Sequence, residues 1–222
     1  MADFLHRVRA ALQGSGGVKS EVTPRPGTGS VGAARHSNGL QAFTADWTKV
    51  ENLRVLDLGA TSNANLTFII SSGHKVYTED LLREARNPVY QRPTEKGPAL
   101  DPEAFLAATL QYPAASFDRI LLWDLPDYLP ELLVKPLVAR LDSILRPGGS
   151  VLAYFHTRDA GPGAPFCRYH IRDAHTIEMR PGDTFPLQRI FNNRHVENLF
   201  RDFNSIKFFL ARDNLREVLV SK

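Results

Sequence analysis

The sequence predicts an α/β fold built on a mostly parallel, twisted sheet that an antiparallel C-terminal hairpin extends. From residue 50 onward, apolar stretches of strand length alternate with amphipathic stretches of helical length, as a parallel sheet covered on both faces requires. A Pro-Gly-Gly turn at 147–149 leads into a further apolar stretch. The last stretch, 206–221, is rich in β-branched and aromatic residues, and its polar interruption at 212–214 is typical of a hairpin turn.

The first half of the sheet is predicted from two short apolar stretches with one helix between them. Residues 54–58 form the first strand, 65–72 form a helix that Gly73 ends, and 75–78 form the second strand. Prolines break up the interval that follows, so no strand is predicted between 83 and 113. Within it, Asp101 followed by Pro102 resembles the capped start of a helix over 103–110.

The second half of the sheet is predicted from the same alternation of strands and helices, and the pattern changes after residue 155. Residues 117–123 form a strongly apolar strand, and 129–145 form the next helix, in which Pro136 implies a kink or a late start. The strand after the glycine turn covers 150–155. An extended segment at 168–179 and a helix at 192–203 then lead to the final hairpin.

The N-terminal residues are predicted to lie outside the sheet domain, which spans 41–222. In residues 1–13, apolar positions recur at helical spacing opposite Arg7 and Arg9, which predicts a short basic amphipathic helix. Residues 14–40 are dominated by Gly, Ser, Pro and Thr and are predicted to be a flexible linker. The helix could bind a protein partner, although helices this short are marginal alone, and a frayed helix without a role is the alternative.

Composition limits the classes of function. With 222 residues and 43% hydrophobic content, the chain can bury one core. The single cysteine, Cys167, excludes an internal disulfide framework, and no apolar run approaches the roughly 20 residues of a membrane-spanning helix. Residues 1–13 lack the apolar stretch of a signal peptide, so we expect a cytoplasmic protein. The net charge of +3 comes from dispersed Lys and Arg, which does not favour nucleic-acid binding.

Acidic residues follow the first two predicted strands, where an open α/β sheet binds its ligand. Asp57 and Asp80 are 23 residues apart, about the spacing between the start of a nucleoside site and its ribose-binding acid. A carboxylate at that point accepts hydrogen bonds from both ribose hydroxyls. Asp80 takes the position by spacing, and Glu79 is its rival.

Four stretches resemble the class I S-adenosylmethionine-dependent methyltransferases, which have a Rossmann-like fold. They are 55–59 (VLDLG), 74–80 (HKVYTED), 116–122 (SFDRILL) and 145–152 (LRPGGSVL), and the resemblance covers about residues 47–222. It implies S-adenosylmethionine as the cofactor, no metal, and a methyl acceptor that the sequence does not identify. The cofactor site that it implies consists of Asp57, Gly59, Ala60, Thr61, Asn63, Glu79, Asp80 and Asp124.

The loop after the first strand departs from the family's pattern. Gly59 is its one glycine, where the family usually has three at alternate positions. Asn63 can adopt a left-handed backbone, but Thr61 places a branched side chain where the cofactor's methionine part is expected. This departure favours the alternative function, a catalytically inactive methyltransferase-like protein that acts as a binding or scaffolding module.

Candidates for the acceptor side follow the later strands. Tyr154 and His156 end the strand at 150–155 and are weak candidates for contacting the acceptor or taking its proton, because imidazole titrates near neutral pH. A packing or surface role is the alternative for both. Asp127 is either a cap of the helix at 129–145 or, with Tyr128, part of the crevice.

Other kinds of site find little support in the sequence. A nicotinamide dehydrogenase needs a glycine-rich loop for its pyrophosphate, and the loop after the first strand has only Gly59, so this class of enzyme is not favoured. Cys167, His170 and His175, with His156 nearby, lack the spacing of a zinc finger, and histidines five apart on a strand face opposite sides, so no metal site is predicted. Neither a nucleophile elbow nor a phosphate loop is present, which leaves hydrolase and kinase functions unsupported.

Overall fold

The computed structural model describes residue 32 and residues 34–95, 97–158, 165–210 and 214–222. The strands are β1 (Ala34–His36), β2 (Arg54–Asp57), β3 (Lys75–Thr78), β4 (Gln91–Arg92), β5 (Ala99–Leu100), β6 (Phe117–Trp123), β7 (Leu145–His156), β8 (Pro165–Asp173), β9 (Thr176–Thr184), β10 (Ser205–Leu210) and β11 (Leu215–Ser221). The helices are α1 (Asn38–Phe43), α2 (Asn63–Ser71), α3 (Leu81–Glu84), α4 (Pro102–Ala108), α5 (Leu125–Tyr128), α6 (Glu131–Ile144) and α7 (Asn193–Leu199), with a 3-10 turn at Pro88–Tyr90.

The central sheet has six strands in the order β10-β11-β7-β6-β2-β3. Strands β3, β2, β6 and β7 are parallel, whereas β11 runs antiparallel to β7 and pairs with β10 as a hairpin. This arrangement confirms the predicted α/β fold with a mostly parallel, Rossmann-like sheet and its antiparallel C-terminal hairpin. The middle of that hairpin turn, 211–213, lies outside the described residues.

No third parallel strand extends the sheet beyond β3 within the part of the chain that the structure describes. The proline-rich interval instead forms a separate two-stranded sheet of β4 and β5, followed by α4. The predicted start of α4 is confirmed, since the Asp101 side chain accepts hydrogen bonds from the backbone amides of Glu103 and Ala104, with Pro102 in the first turn. Among the described residues, β3 is therefore the edge strand of the central sheet on this side.

Three predicted element boundaries are wrong. Residues 147–149 do not form a turn ahead of a strand but lie inside β7, because the backbone of Lys222 bonds to Gly148 and Gly149 and continues the sheet there. The helix predicted from 129 begins at Glu131, after Pro130. The extended segment predicted at 168–179 is a hairpin of β8 and β9, and it forms a three-stranded sheet with β1.

Part of the predicted linker is also wrong, since residues 34–40 form β1 and the beginning of α1. Ser37 caps α1 by accepting the backbone N–H of Leu40. The buried Glu217 on β11 accepts hydrogen bonds from the backbone N–H of Gly39 and from Arg35 Nη1, both at 2.6 Å. These long-range bonds order a segment whose composition alone predicts flexibility. The helix predicted for residues 1–13 and the linker up to residue 31 lie outside the described residues.

We expect Glu217→Ala to lower the free energy of unfolding by about 2 kcal/mol. Removing the carboxylate leaves the buried Gly39 N–H without its acceptor and takes one partner from the Arg35 guanidinium, and partial exposure of Arg35 reduces the cost below that of a fully buried pair. Urea denaturation measures the change, with the exposed Glu197→Ala on α7 as the control. Equal stability of the two variants would show that Glu217 does not anchor this segment.

The core covers both faces of the central sheet, and the β8–β9 hairpin reaches over one edge of it. Helices α3, α4, α6 and α7 pack on one face. On the other face, apolar side chains of α1 and α2 pack together with Tyr169, Ile171 and Ile177 of the hairpin. The hairpin therefore lies above the ends of β2 and β6, where the ligand crevice is predicted. Among the described helices, none has the length and apolar character needed to cross a bilayer.

Candidate active site

A crevice of about 350 Å³ lies at the carboxyl ends of β2 and β3. One wall is formed by the turn after β2 and by α3, and the other by the β8–β9 hairpin and the residue after it. The lining residues are Ala60, Asp80, Leu82, Arg83, Arg86, Phe166, Arg168, Asp183 and Phe185. Of the predicted cofactor residues, the structure places only Ala60 and Asp80 among them.

The two rival acids at the end of β3 have different surroundings. Asp80 caps α3, its Oδ1 accepting the backbone N–H of Arg83 at 3.2 Å, and its side chain borders the crevice. Glu79 accepts a hydrogen bond from the Tyr112 hydroxyl at 2.8 Å and is not among the lining residues. Burial, with Glu79 adding to it, raises the pKa of Tyr112, which keeps that hydroxyl a donor. Asp80 is thus the acid available to a ligand.

The buried Asp57 side chain holds the loop after β2 in place by hydrogen bonds. Its buried carboxylate accepts hydrogen bonds from the backbone N–H of Gly59 at 3.1 Å, from Asn65 Nδ2 at 2.8 Å and from Trp123 Nε1 at 2.7 Å. Burial raises the pKa of Asp57, and these donors oppose that rise by stabilising the carboxylate. The Asp57 carboxylate therefore accepts hydrogen bonds from donors of the protein itself.

Trp123 lies across Gly59 and fills the space above the loop. A Cβ atom added to Gly59 would be 2.8 Å from Trp123 Cδ1. The indole stacks on the Tyr169 ring, with centroids 5.0 Å apart and planes 4° from parallel. Trp123 also has a φ of +54°, a left-handed backbone that is strained for a bulky residue. The loop's amides are covered by aromatic rings at the point where the family's cofactor is expected to place its methionine part.

The rest of the loop differs from what its sequence indicates. Thr61 is exposed, so the side chain that fills the space is Trp123 and not Thr61. Ser62 is the N-cap of α2, with its hydroxyl accepting the Asn65 backbone N–H. Asn63 begins that helix, and the left-handed backbone considered for it does not occur.

We expect Gly59→Ala to lower the free energy of unfolding by about 1–3 kcal/mol, because the new methyl group meets a rigid indole ring. Urea denaturation measures the loss, and the near-ultraviolet circular dichroism of Trp123 reports the displaced ring. In a Trp123→Ala background the same methyl meets no ring, so its cost should disappear. A cost that persists there would show that something other than Trp123 crowds Gly59.

Two buried carboxylates follow β6. Asp124 Oδ2 accepts the Tyr169 hydroxyl at 2.8 Å, and burial raises its pKa to about 7, against the opposing effects of His156 and Tyr169. Asp127 Oδ2 accepts the backbone N–H of His156 at 2.6 Å and lies 2.8 Å from His156 Nδ1. The Oδ1 atom of each carboxylate has no hydrogen-bond partner within the described residues. Asp127 does not cap a helix as one hypothesis held, since it lies within α5, which Asp124 precedes.

The two acceptor-side candidates point to different places. Tyr154 is completely buried, and its hydroxyl lies 3.1 Å from Ser37 Oγ, so it packs against the N-terminal segment. His156 is partly exposed and is held by Asp127, with Tyr128 edge-on to its ring at 5.7 Å. Neither borders the 350 Å³ crevice. Of the two, His156 is the one with access to solvent.

No group of three or more His, Cys, Asp or Glu side chains is placed to hold a metal ion within the ranges that the structure describes. His170 on β8 lies 2.7 Å from Ser62 Oγ through Nδ1, whereas His175 lies in the β8–β9 turn. Burial raises the pKa of Cys167 to about 11, so its thiol stays protonated at neutral pH.

Several residues of the site escape sequence reasoning. Trp123 directly precedes Asp124 at the end of β6, so a bulky aromatic at a strand end was the available signal. Tyr169, Arg168 and Phe185 come from the hairpin region, whose position over the sheet only the tertiary structure gives. The arginines of α3 and the turn after it gave no signal beyond their closeness to Asp80 in sequence.

No protein-family model matches this sequence, and no curated protein does either. Among solved structures, the chain is similar to Burkholderia thailandensis 1,6-didemethyltoxoflavin-N1-methyltransferase with bound S-adenosylhomocysteine, at 16% identity and a TM-score of 0.44 over 82% of this chain and 74% of that one. A Methanosarcina mazei S-adenosylmethionine-dependent methyltransferase has 13% identity and a TM-score of 0.43, over 78% and 93%. One from Bacteroides fragilis with S-adenosylhomocysteine has 14% identity and a TM-score of 0.45, over 82% and 76%.

Proposed function

We propose that this chain, an α/β protein with a class I methyltransferase-like fold, binds S-adenosylmethionine and transfers its methyl group to an acceptor. The observation that carries the proposal is the crevice at the carboxyl ends of β2 and β3, with Asp80 at its rim. Asp80 is suited to accept hydrogen bonds from both ribose hydroxyls, and Leu82 and Phe166 offer apolar surface to a base. A pocket of this size and chemistry suits the nucleoside half of the cofactor.

The methionine half fits less directly. Trp123 and the stacked Tyr169 cover Gly59, so the loop's amides can be reached only after these rings move. Tyr169 belongs to the β8–β9 hairpin, and the Asn65 side chain holds that hairpin through the Tyr169 carbonyl oxygen and the Ile171 N–H. Cofactor binding in this proposal is therefore coupled to movement of the Trp123 and Tyr169 rings.

Methyl transfer from this cofactor requires little chemistry from the protein's own residues. The bound cofactor supplies a methyl group already activated by its sulfonium, and the protein aligns the acceptor and excludes water. His156 is the candidate for receiving an acceptor's proton, because the Asp127 carboxylate orients its ring through Nδ1, and its side chain lies outside the 350 Å³ crevice.

A second candidate function is that of a non-catalytic, methyltransferase-like binding module. The observation in its favour is the aromatic cover over Gly59, which fills the space that catalysis needs. The basic segment 1–13 would supply the contact to a protein partner in that case. The two functions differ in one measurable property, the affinity for the cofactor.

Calorimetric titration with S-adenosylmethionine and S-adenosylhomocysteine tests the proposal. We expect micromolar binding, about −8 kcal/mol, which Asp80→Ala weakens at least tenfold because the ribose hydroxyls lose their acceptor. Asp202→Ala, a substitution at an exposed acid far from the crevice, should leave binding unchanged. Failure of the folded wild-type protein to bind either compound would reject the methyltransferase function and favour the binding module.

A further inference from the structure

Three arginine side chains line the crevice at Asp80. Arg83 lies on α3, Arg86 follows that helix, and Arg168 lies on β8 across the crevice. All three are exposed, and none forms an ion pair with a carboxylate in the part of the chain that the structure describes. Several other arginines among the described residues do form such pairs, as Arg119 does with Asp46 at 2.5 Å. The crevice therefore concentrates guanidinium groups whose charge is not neutralised by a direct partner.

One of these groups is positioned by an aromatic ring. The Arg86 guanidinium lies 4.6 Å from the centroid of the Phe185 ring, which fixes it by a cation–π contact. Phe185 in turn packs edge-on against the buried Phe166, with centroids 5.5 Å apart. A guanidinium held over a packed ring loses less freedom when it binds a ligand, so this geometry is prepared for an anion.

The carboxylates of the crevice do not cancel this charge. Two acids, Asp80 and Asp183, line it together with the three arginines, which leaves an excess of one positive charge. Asp80 already caps α3 and, in the proposed function, also accepts the ribose hydroxyls. Guanidinium groups bind phosphate and carboxylate through paired, charge-assisted hydrogen bonds.

We propose that the methyl acceptor is a small anionic molecule whose phosphate or carboxylate group is bound by Arg83, Arg86 and Arg168. This assignment rests on the proposed methyltransferase function. The crevice of about 350 Å³ is also the place proposed for the cofactor's nucleoside half, so the part of the acceptor that enters it is limited to a small anionic group. Arg168 comes from the hairpin wall and Arg83 from the wall that carries Asp80, so the anion lies between the cofactor's ribose and β8.

The test is calorimetric titration of the full chain with inorganic pyrophosphate and, separately, with citrate, at fixed ionic strength. Each titration is run with and without saturating S-adenosylhomocysteine. We expect Arg86→Gln and Arg168→Gln each to weaken binding of the preferred probe about tenfold. Arg194→Gln, which removes an exposed charge on α7 far from the crevice, should have no effect. Tighter pyrophosphate binding indicates a phosphate acceptor, and tighter citrate binding a carboxylate acceptor.

Four results would overturn the assignment. Equal binding in all variants would mean that the anions bind non-specifically. Displacement of the anions by S-adenosylhomocysteine would mean that the arginines belong to the cofactor site and not to an acceptor site. If S-adenosylhomocysteine binds but neither anion does, the acceptor proposal alone fails. If pyrophosphate binds through these arginines while S-adenosylhomocysteine does not, the methyltransferase function fails and takes the acceptor assignment with it, leaving an anion site.

Discussion

Trp123→Ala is expected to lower the free energy of unfolding by about 3–5 kcal/mol and, at the same time, to strengthen S-adenosylhomocysteine binding about tenfold. The loss of stability follows from the surroundings of the indole, which is 2% exposed, stacks on Tyr169 and donates a hydrogen bond to Asp57. Removing it leaves a cavity between β6 and the hairpin, and a buried carboxylate without one of its donors.

The gain in affinity has a different cause. In the wild-type protein, binding of the cofactor's methionine part requires the indole to leave Gly59, and the free energy of that movement is subtracted from binding. Alanine removes the obstacle, so the free energy of displacing the indole is no longer subtracted from the free energy of binding. Stability and affinity should therefore change in opposite directions.

Urea denaturation and calorimetry measure the two effects, and Trp47→Ala is the matched control. Trp47 is also buried, but it packs with Phe43 and Phe68 and not against Gly59, so its loss should reduce stability without changing affinity. Trp123→Gly should be less destabilised than Trp123→Ala, because glycine relieves the φ of +54°. Unchanged affinity in a folded Trp123→Ala protein would contradict the role of the indole as the obstacle.

Asp124 is expected to make the protein less stable as pH rises from 4 to 8. Burial raises its pKa from 3.8 to about 7, so between these values the unfolded chain has released a proton that the folded chain keeps. The contribution of Asp124 is fully present below pH 4 and is lost as pH rises through 7. A shift of this size corresponds to about 4 kcal/mol.

Comparison with Asp124→Asn isolates this effect. Burial also raises the pKa of Asp57 and Asp127, and it lowers the pKa of His74 and His170, but these groups are present in both proteins. Between pH 4 and 8, we expect the free energy of unfolding to fall less in Asp124→Asn than in the wild type. The two decreases should differ by several kcal/mol. Asp202→Asn, at an exposed acid, should behave as the wild type. Parallel pH profiles for wild type and Asp124→Asn would show that Asp124 is ionised throughout.

The sequence by itself determined the parallel sheet and the hairpin at its end. Strands β2, β3 and β6 and helix α2 are predicted from local periodicity, because each buries its own apolar residues on one or the other face of the central sheet. Caps such as Asp101 before Pro102 are equally local, since the side chain bonds to amides two and three residues away. The position of Asp80 at the end of β3 follows from the same alternation.

Tertiary structure alone decided what surrounds those residues. Glu217 orders residues 34–40 across 178 positions of sequence, and Lys222 extends β7 through its glycines, both by bonds that no local pattern encodes. The closure of the loop at Gly59 and the arginines of the crevice likewise depend on where the β8–β9 hairpin packs. Periodicity reports which face of an element is buried, whereas the identity of the group that covers it is set by contacts between distant segments.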